Sequence, residues 1–258
     1  MMKLSIITVS FNSENHIYDA IKSVNEQTYP NIEHIFIDGG STDQTFQVIK
    51  NNSNRQYQFL SEPDNGIYDA MNKGYKMATG DVIAFLNSDD FYDNCDILTL
   101  VMDEFDYETD IVYGDIYFID QQNLISRIWH TGHIPINWQN GFQIPHPALF
   151  VRKRLIANRD ALYDIDFKIA GDLKLQLSLF KDGPLNTRYL EKKLVCMRLG
   201  GASTKNIQSI VNGFKETRRA YNDIFGEGGT YYALRKIASK INQKILGNNR
   251  QKELDDVR

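Results

Sequence analysis

The sequence predicts an α/β protein with a Rossmann-like, mostly parallel central sheet that is flanked by helices. Apolar runs without polar alternation, at residues 4–9 and 82–86, are typical of strands buried on both faces. Helical patterns lie between such runs. In the first helical pattern, apolar residues recur at i, i+3, i+4 and i+7, namely Ile17, Ala20, Ile21 and Val24.

The order of elements supports this fold class. Four strands are predicted over residues 4–9, 32–37, 57–60 and 82–86, with helices after Ser13, after Thr42 or Asp43, and from Ile67. A helix around residues 97–105 follows. The next part is predicted to be smaller and more antiparallel, with strands over 110–114, 116–119, 124–129 and 194–199 and a helix that starts near Asp172. Two helical stretches, around residues 207–225 and 231–246, finish the chain.

Carboxylates follow the predicted parallel strands. Because ligands of open α/β sheets bind just past the carboxyl ends of the strands, these segments predict a site at one edge of the sheet. The carboxylates are Asp38, Asp43, Asp64, Asp89 and Asp90. Neither a Gly-x-Gly-x-x-Gly turn nor a Walker A lysine loop occurs in the sequence, which argues against a dinucleotide fingerprint and a P-loop.

Asp89 and Asp90 come directly after the fourth strand. Two adjacent carboxylates are costly to keep close together unless a cation lies between them. Oxygen ligands of this kind suit Mg²⁺ or Mn²⁺, which bind through one or two carboxylates together with substrate phosphates. The alternative is that the pair only opens the loop or caps the next helix.

Composition limits the function classes. The chain has 258 residues and a formal net charge of -4, which argues against a dedicated nucleic-acid binder. Its two cysteines lack metal spacing, so a reducing compartment is the simpler expectation. The first apolar run is too short for a signal peptide, and no run is long enough to span a bilayer. We therefore expect a cytoplasmic protein.

Two segments have open interpretations. Residues 129–142 are rich in His, Trp, Asn and Gly, which suits either a loop around a polar ligand or an ordinary surface loop. In residues 231–246, basic residues lie among apolar ones that recur about one turn apart. This pattern fits either a peripheral helix on the inner face of the plasma membrane or a helix docked on its own domain.

Five segments in a fixed order resemble the family 2 glycosyltransferases, which have the GT-A fold and include bacterial enzymes of surface-polysaccharide synthesis. The resemblance covers roughly residues 3–200. The segments are Thr8-Val9-Ser10-Phe11-Asn12, Ile37-Asp38-Gly39-Gly40-Ser41-Thr42-Asp43, Glu62-Pro63-Asp64-Asn65-Gly66 with the helix that follows, Asn87-Ser88-Asp89-Asp90, and Ala170-Gly171-Asp172.

The resemblance implies an inverting transfer of a sugar from a nucleotide-diphosphate donor, a UDP-sugar by preference, to a hydroxyl of a glycan or lipid-linked acceptor. It also implies Mn²⁺ or Mg²⁺ as cofactor. Residues 1–115 would form the nucleotide-sugar-binding half of one GT-A domain. Residues 116–200 would form its acceptor-binding half, and residues 201–258 a C-terminal helical extension.

The resemblance also implies residue roles. Asp38 matches the aspartate that bonds the nucleotide base, Asp89 (with Asp90 second) the metal ligand, and Asp172 the catalytic base. The other donor-binding positions are Thr8, Ser10, Asn12, Asp64, Gly66, Lys73, Asn87 and Ser88. His146 and Ser203 are candidate acceptor or diphosphate contacts. The sequence departs from the family pattern at two positions: Asn87 replaces an aspartate, and Gly171 replaces the acidic residue that often precedes the base.

Two other functions remain open. A sugar nucleotidyltransferase also uses a sheet with acidic metal ligands, but it normally has a Gly-rich basic loop after the first strand. This chain has Ser10-Phe11-Asn12-Ser13 there. A non-catalytic module that binds sugar nucleotides is compatible with a base that lacks its acidic neighbour.

Overall fold

The structure is a computed structural model that describes residues 1–200, 207–236 and residue 238. Its strands are β1 (Leu4–Ser10), β2 (Ile32–Asp38), β3 (Tyr57–Ser61), β4 (Val82–Phe85), β5 (Phe91–Tyr92), β6 (Ile111–Ile119), β7 (Ile125–Trp129), β8 (Leu149–Arg152) and β9 (Thr187–Arg198). Its helices are α1 (Ile17–Asn25), α2 (Thr45–Asn52), α3 (Ile67–Met77), α4 (Ile97–Asp103), α5 (Lys153–Ile156), α6 (Gly171–Phe180) and α7 (Ile207–Phe225).

Within the described residues, the strands form one sheet in the order β3-β2-β1-β4-β8-β6-β9-β5, with β7 paired to β6. Strands β3, β2, β1 and β4 are parallel to one another. β8 runs antiparallel to both β4 and β6, and β6 is parallel to β9. The predicted α/β class, with a parallel first half and a more antiparallel second half, is confirmed.

Apolar layers cover both faces of this sheet, which explains the continuous apolar runs of β1 and β4. One layer is made by α3, α6 and α7, whose buried residues Met71, Leu173 and Tyr221 belong to one cluster. α1 and α4 form the opposite layer through residues such as Val24 and Leu98. The carboxyl ends of the four parallel strands lie together at one edge of this sheet.

Three strands differ from the sequence prediction. β6 is one strand through Asp115 rather than two, and the two-residue β5 is too short to leave a pattern. β9 begins at Thr187 instead of residue 194. The sequence did not predict its first half because those residues are mostly polar and none of them is buried, although they pair with β6. The predicted functional boundary at residue 115 falls within β6, and the one at residue 200 follows the end of β9. Both boundaries stay a prediction.

The C-terminal predictions are only partly covered. The helix over 207–225 is confirmed as α7. Ser203 and most of the helix predicted over 231–246 lie outside the described residues. Within the described residues, 229–236 are helical. None of the helices that the structure describes is long and apolar enough to cross a membrane. Peripheral membrane contact stays a prediction.

A buried carboxylate, Glu33, ties together the amino ends of the parallel strands. Its side chain is 4% exposed and lies 2.5 Å from the Lys3 ammonium. It accepts hydrogen bonds from the Ser5 hydroxyl at 2.5 Å, from the Thr79 N–H at 2.6 Å and from the Gly80 N–H at 3.1 Å. Burial raises the pKa of Glu33, but the bonds from Lys3, Ser5 and Thr79 outweigh it and lower the pKa to about 2.

We predict that Glu33→Gln lowers the free energy of unfolding at pH 7 by about 1–3 kcal/mol, because buried donors lose a charged acceptor. The pKa of Glu33 in the folded state, about 2, lies below the unfolded value of roughly 4.3. The advantage of the wild type should therefore be complete above about pH 5 and should shrink as the pH falls toward 2. Urea unfolding of both proteins at pH 7 and pH 3 measures it.

The matched control is Glu26→Gln, which removes a carboxylate from the exposed pair of Glu26 with Lys22, 3.8 Å apart on α1. Exposed pairs of this kind add little stability, so this variant should unfold like the wild type at both pH values. A Glu33→Gln effect of the same size at pH 3 as at pH 7 would contradict the assignment of the stabilisation to the ionised carboxylate.

Candidate functional site

The polar segments that follow the parallel strands lie side by side at one edge of the sheet. Ser10 is paired with Asp38 at the ends of β1 and β2, and Asp38 with Ser61 at the end of β3. The loop after β1 reaches the loop after β4, because the hydroxyls of Ser13 and Ser88 are 2.9 Å apart. The convergence that the sequence predicts is therefore present in the structure.

Asp38 holds this edge together. Its side chain is 1% exposed, yet its carboxylate has many donors around it. The donors are the hydroxyls of Ser10, Ser41 and Ser61 and the N–H groups of Gly40 and Ser41, at 2.5–3.2 Å. Five donors saturate the roughly four lone-pair sites of a carboxylate. The observed bonds therefore assign Asp38 to the scaffold of the edge, and its predicted contact with a nucleotide base stays untested.

The other predicted residues of the first strand are also engaged by protein groups. Thr8 is fully buried, and its hydroxyl lies 2.9 Å from the Nε2 atom of His34. Asn12 has a positive φ of 49°. Its N–H donates to the Ser41 hydroxyl at 2.8 Å, and its Oδ1 accepts from the Thr42 N–H at 3.0 Å. Thr8 thus lies in the core, and Asn12 shapes the loop beside the site.

Asp64 has a more open carboxylate. One oxygen accepts the N–H of Gly66 at 2.8 Å. The other lies against Gly39, where a Cβ atom would come within 2.5 Å of it. Lys73 braces this loop, because its ammonium is 2.9 Å from both the Pro63 carbonyl and the Glu62 carboxylate.

Phe11 lies at the same edge and is a candidate residue that the sequence analysis did not single out. Its side chain is 64% exposed, and its ring approaches the same Cβ position at Gly39 to 3.4 Å. An exposed aromatic ring beside a carboxylate offers a flat apolar face to a ring-shaped ligand. The available signal was a large apolar residue placed in a polar loop directly after a buried strand.

The segment after β4 separates the two adjacent carboxylates. Asp89 is half-exposed, whereas Asp90 is 1% exposed and accepts the Asn87 amide at 3.0 Å. Burial and the charge of Asp89 raise the pKa of Asp90 well above its ordinary value, although the bond from Asn87 and the charge of Arg198 lower it. Arg198 of β9 also donates to the Asp89 carbonyl at 3.3 Å.

The residues after β4 fit a divalent cation that arrives with its ligand. In the part of the chain that the structure describes, the buried Oδ1 atom of Asn87 has no hydrogen-bond partner. The same part contains no group of three or more His, Cys, Asp or Glu side chains that would form a complete metal site. An orphaned amide oxygen beside the half-exposed Asp89 instead matches Mg²⁺ or Mn²⁺, which take one or two carboxylates plus phosphate oxygens.

Asp172 lies in the first turn of α6, where the helix dipole favours a carboxylate. Gln143 donates from Nε2 to Asp172 Oδ2 at 2.8 Å. The loop that carries Gln143 is fixed in turn by Gln176, whose amide exchanges two hydrogen bonds of 3.0 and 2.9 Å with the backbone of Ile144. Gln143 thus orients Asp172. No signal in the sequence marked it, because the contact spans 29 residues.

The glycine before Asp172 has a steric cause. A Cβ atom at Gly171 would come within 2.7–2.9 Å of three ring atoms of Tyr68. Tyr68 cannot easily move away, since its ring stacks on Tyr163 with centroids 5.3 Å apart. The ring of Tyr68 therefore fills the space next to Asp172 into which a larger side chain at residue 171 would project.

His146 packs against Tyr163, the residue on which the Tyr68 ring stacks. Its Nε2 atom is 2.7 Å from the Tyr163 hydroxyl, and its ring centroid is 5.3 Å from that of Phe85 at the end of β4. Desolvation lowers the pKa of His146, although the charge of Asp172 raises it. His146 is thus engaged by the protein between the two carboxylate clusters, and its contact with an acceptor or diphosphate stays a prediction.

A surface cleft of about 610 Å³ lies at the opposite edge of the sheet, beside Met2, Asp81 and Arg152. The arginine side chains that line it form hydrogen bonds with backbone carbonyl groups. Arg152 donates to the Asp106 carbonyl, and Arg154 donates to the Tyr107 carbonyl at 2.6 Å. The charged groups of this cleft are therefore engaged in holding the fold together.

Comparison with known proteins identifies relatives of this chain. Residues 5–157 match the family described as Glycosyl transferase family 2. An uncharacterised glycosyltransferase of Mycobacterium tuberculosis is 34% identical over 66% of this chain and 65% of its own length. A PGL/p-HBAD biosynthesis glycosyltransferase of Mycobacterium bovis is 28% identical over 72% of this chain and 73% of its own length. The match thus spans a little under two thirds of the first relative.

Solved structures confirm the fold. Residues 1–349 of Staphylococcus aureus TarS, in complex with UDP-GlcNAc, superpose with a TM-score of 0.68 at 18% identity, over 94% of this chain and 72% of that one. The mannosyltransferase PcManGT of Pyrobaculum calidifontis, in complex with GDP-Man and Mn²⁺, gives a TM-score of 0.64 at 14% identity, over 93% and 75%. The GT-A fold implied by the sequence resemblance is therefore confirmed.

We predict that Gly171→Ala lowers the free energy of unfolding by about 1–3 kcal/mol, because its methyl group would overlap the Tyr68 ring in a packed region. The matched control is Gly213→Ala in α7, where the new Cβ would meet Ile169 at an ordinary 3.4 Å. Alanine in a helix interior is favoured over glycine, so the control should be neutral or stabilising. Urea unfolding of both variants measures their free energies of unfolding. A Gly171→Ala protein as stable as the wild type would refute the steric explanation.

Proposed function

The chain belongs to glycosyl transferase family 2, and from this premise we propose that it transfers a sugar from a nucleotide-diphosphate donor to a hydroxyl group of an acceptor. The observation that carries the proposal is the presence of two separate carboxylate groups: Asp89 beside the orphaned oxygen of Asn87, and Asp172 held by Gln143. One group suits a cation on the donor diphosphate, and the other suits a base for the acceptor.

On the donor side, we assign the nucleotide to the edge formed by Phe11, Gly39 and Asp64. The Phe11 ring would stack on the base, and the carboxylate of Asp64 would accept a base N–H, since Asp38 is saturated by protein donors. The neighbour TarS holds UDP-GlcNAc, and PcManGT holds GDP-Man. A carboxylate can accept the N3–H of uracil, and equally the N1–H and N2–H of guanine, so the preference for a UDP-sugar rests on the sequence resemblance.

On the acceptor side, Asp172 takes the proton of the attacking hydroxyl. The oxygen then attacks the anomeric carbon from the face opposite the nucleotide diphosphate, so the configuration at this carbon inverts. Mn²⁺ or Mg²⁺, when bound beside Asp89, supplies charge neutralisation for the leaving diphosphate. Gln143 keeps the carboxylate of Asp172 oriented, because a base must lie within hydrogen-bond reach of the proton it removes.

We propose a glycan or a lipid-linked saccharide as the acceptor and surface-polysaccharide synthesis as the context. Support comes from relatives that are named for PGL/p-HBAD biosynthesis. The described part of the last helix exposes Tyr231 and Leu234, and the neighbouring loop exposes Ile136, which is 97% accessible. These exposed apolar side chains are compatible with the predicted contact at a membrane surface.

The two alternatives have less support. A sugar nucleotidyltransferase needs a basic, Gly-rich loop for triphosphate after the first strand, and here Asn12 and Ser41 fill that place with an uncharged contact of 2.8 Å. A non-catalytic sugar-nucleotide-binding module is favoured by one observation, which is that Tyr68 excludes an acidic neighbour from position 171.

Nucleotide binding tests the donor site. We expect UDP to raise the melting temperature of the wild type more strongly with Mn²⁺ than without it, since a ligand of the native state stabilises by mass action. Asp89→Asn should remove the Mn²⁺-dependent part of the shift, whereas Asp90→Asn, which replaces a buried carboxylate bonded to Asn87, should keep most of it. ADP and GDP serve as specificity controls. If only Asp90→Asn lost the Mn²⁺-dependent part of the shift, the metal contact would be assigned to Asp90 instead of Asp89.

Asp172→Asn tests the base. We expect this variant to bind UDP and Mn²⁺ as the wild type does, while its kcat for transfer falls at least about 100-fold, the usual order for loss of a general base. Turnover is measured as UDP released in the presence of saccharide acceptors, with equal melting shifts as the folding control. An Asp172→Asn protein with wild-type turnover would exclude Asp172 as the base, and a wild type that binds but never turns over would favour the non-catalytic module.

A further inference from the structure

Helix α7 lies against the loop that leads to Asp172. We call residues 164–170 the base loop, because α6 begins directly after it with Gly171 and Asp172. Three charged side chains of α7, Glu216, Arg219 and Asp223, recur at i, i+3 and i+7 and therefore share one face of the helix. All three contact the base loop or its partner Lys174.

Glu216 makes the most specific of these contacts. Its carboxylate accepts hydrogen bonds from three successive backbone N–H groups, those of Lys168 at 3.0 Å, Ile169 at 2.8 Å and Ala170 at 2.9 Å. Ala170 is the residue at which α6 is capped. Hydrogen bonds to a charged acceptor are roughly twice as strong as neutral ones, so this carboxylate fixes the backbone two residues before Asp172.

Other contacts hold the same loop from both sides. The Lys174 ammonium lies between Asp164 at 2.7 Å and Asp223 at 2.6 Å, and Arg219 lies 3.6 Å from Asp166. The ring of Phe167, which is fully buried, has the charged groups of Lys174 and Arg219 each 4.7 Å from its centroid. The base loop is thus anchored to α7 by ion pairs and cation–π contacts.

The base loop also reaches the donor side of the site. The Lys168 ammonium donates to the Asn65 carbonyl at 2.6 Å, next to Asp64 and Gly66. A Cβ atom at Gly66 would lie 3.6 Å from the same ammonium. The position of the base loop therefore depends on α7 at one end and on the loop after β3 at the other.

We propose that Glu216 is a positioning residue, which holds the base loop so that the carboxylate of Asp172 meets the acceptor hydroxyl. This inference rests on the proposed transferase function and extends its machinery to a helix beyond residues 5–157, the part that matches the family. Its physical basis is the steep dependence of catalysis on geometry, since a displacement of about 1 Å can lower a rate roughly 100-fold.

The test is Glu216→Gln, which keeps the size of the side chain but replaces a charged acceptor of three N–H groups by a neutral amide. We expect kcat for transfer to fall about 10- to 100-fold. The KM for the donor and the melting shift with UDP and Mn²⁺ should stay within about twofold of the wild type, because the donor site is intact. Hydrogen exchange of the amides of residues 168–170 should be faster.

The matched control is Glu227→Gln, at an exposed position in the turn after α7, which should change none of these quantities. Asp223→Asn is the second variant, because it loosens the same loop through Lys174 without touching the three amides. It should also lower kcat at constant KM, by a smaller factor. This variant keeps the inference testable if Glu216→Gln fails to fold.

The outcomes separate the two proposals. Faster exchange in Glu216→Gln with an unchanged kcat would overturn the positioning role, and so would a parallel loss of kcat and donor binding, which would indicate a general effect on folding. A wild type that binds UDP but transfers no sugar would instead overturn the proposed function. This last result does not depend on residue 216, so it cannot be confused with the other two.

Discussion

The buried carboxylate of Asp38 is the interaction on which the edge of the sheet depends. A charge in the interior must be matched by donors. Here hydroxyls at the ends of β1 and β3 and in the loop after β2 supply them, together with two backbone N–H groups of that loop. Because one residue bonds to several segments at once, the strand ends cannot shift independently. The loops that present Phe11 and Asp64 are consequently held at fixed positions beside Gly39.

The remaining carboxylates divide into two groups that the fold keeps apart. Asp89 follows the central strand β4, whereas Asp172 starts a helix that packs on one face of the sheet. Their separation avoids the repulsion of like charges, and in the proposed reaction it lets Asp89 act on the donor diphosphate and Asp172 on the acceptor hydroxyl. Tyr68 and Tyr163 pack beside Asp172 and connect to His146, so aromatic side chains line the space near Asp172 and leave room only for glycine at position 171.

The part of the chain beyond residue 157 completes this arrangement. Asp172 lies there, and so does α7, whose Glu216 accepts hydrogen bonds from the three backbone N–H groups just before Gly171 and Asp172. This part of the chain lies outside residues 5–157, which match the family.

By itself, the sequence determined the α/β class, the parallel half of the sheet and the convergence of its carboxylates. These features follow from local patterns, because apolar runs and strand-helix alternation dictate where parallel strands end. It could not separate the roles of Asp38 and Asp64, or of Asp89 and Asp90, since adjacent or similar carboxylates differ only in burial and in the donors around them. Nor could it reveal the polar first half of β9, which pairs without an apolar signal.

Only the tertiary structure showed these differences in burial and hydrogen bonding, together with the contacts of Gln143, Tyr68 and Glu216 around Asp172. Each of these contacts joins residues that are 29 or more positions apart in the chain, and no spacing rule connects them. They exist because α3, α6, α7 and the loop of Gln143 pack together on one core, and packing depends on the whole chain at once.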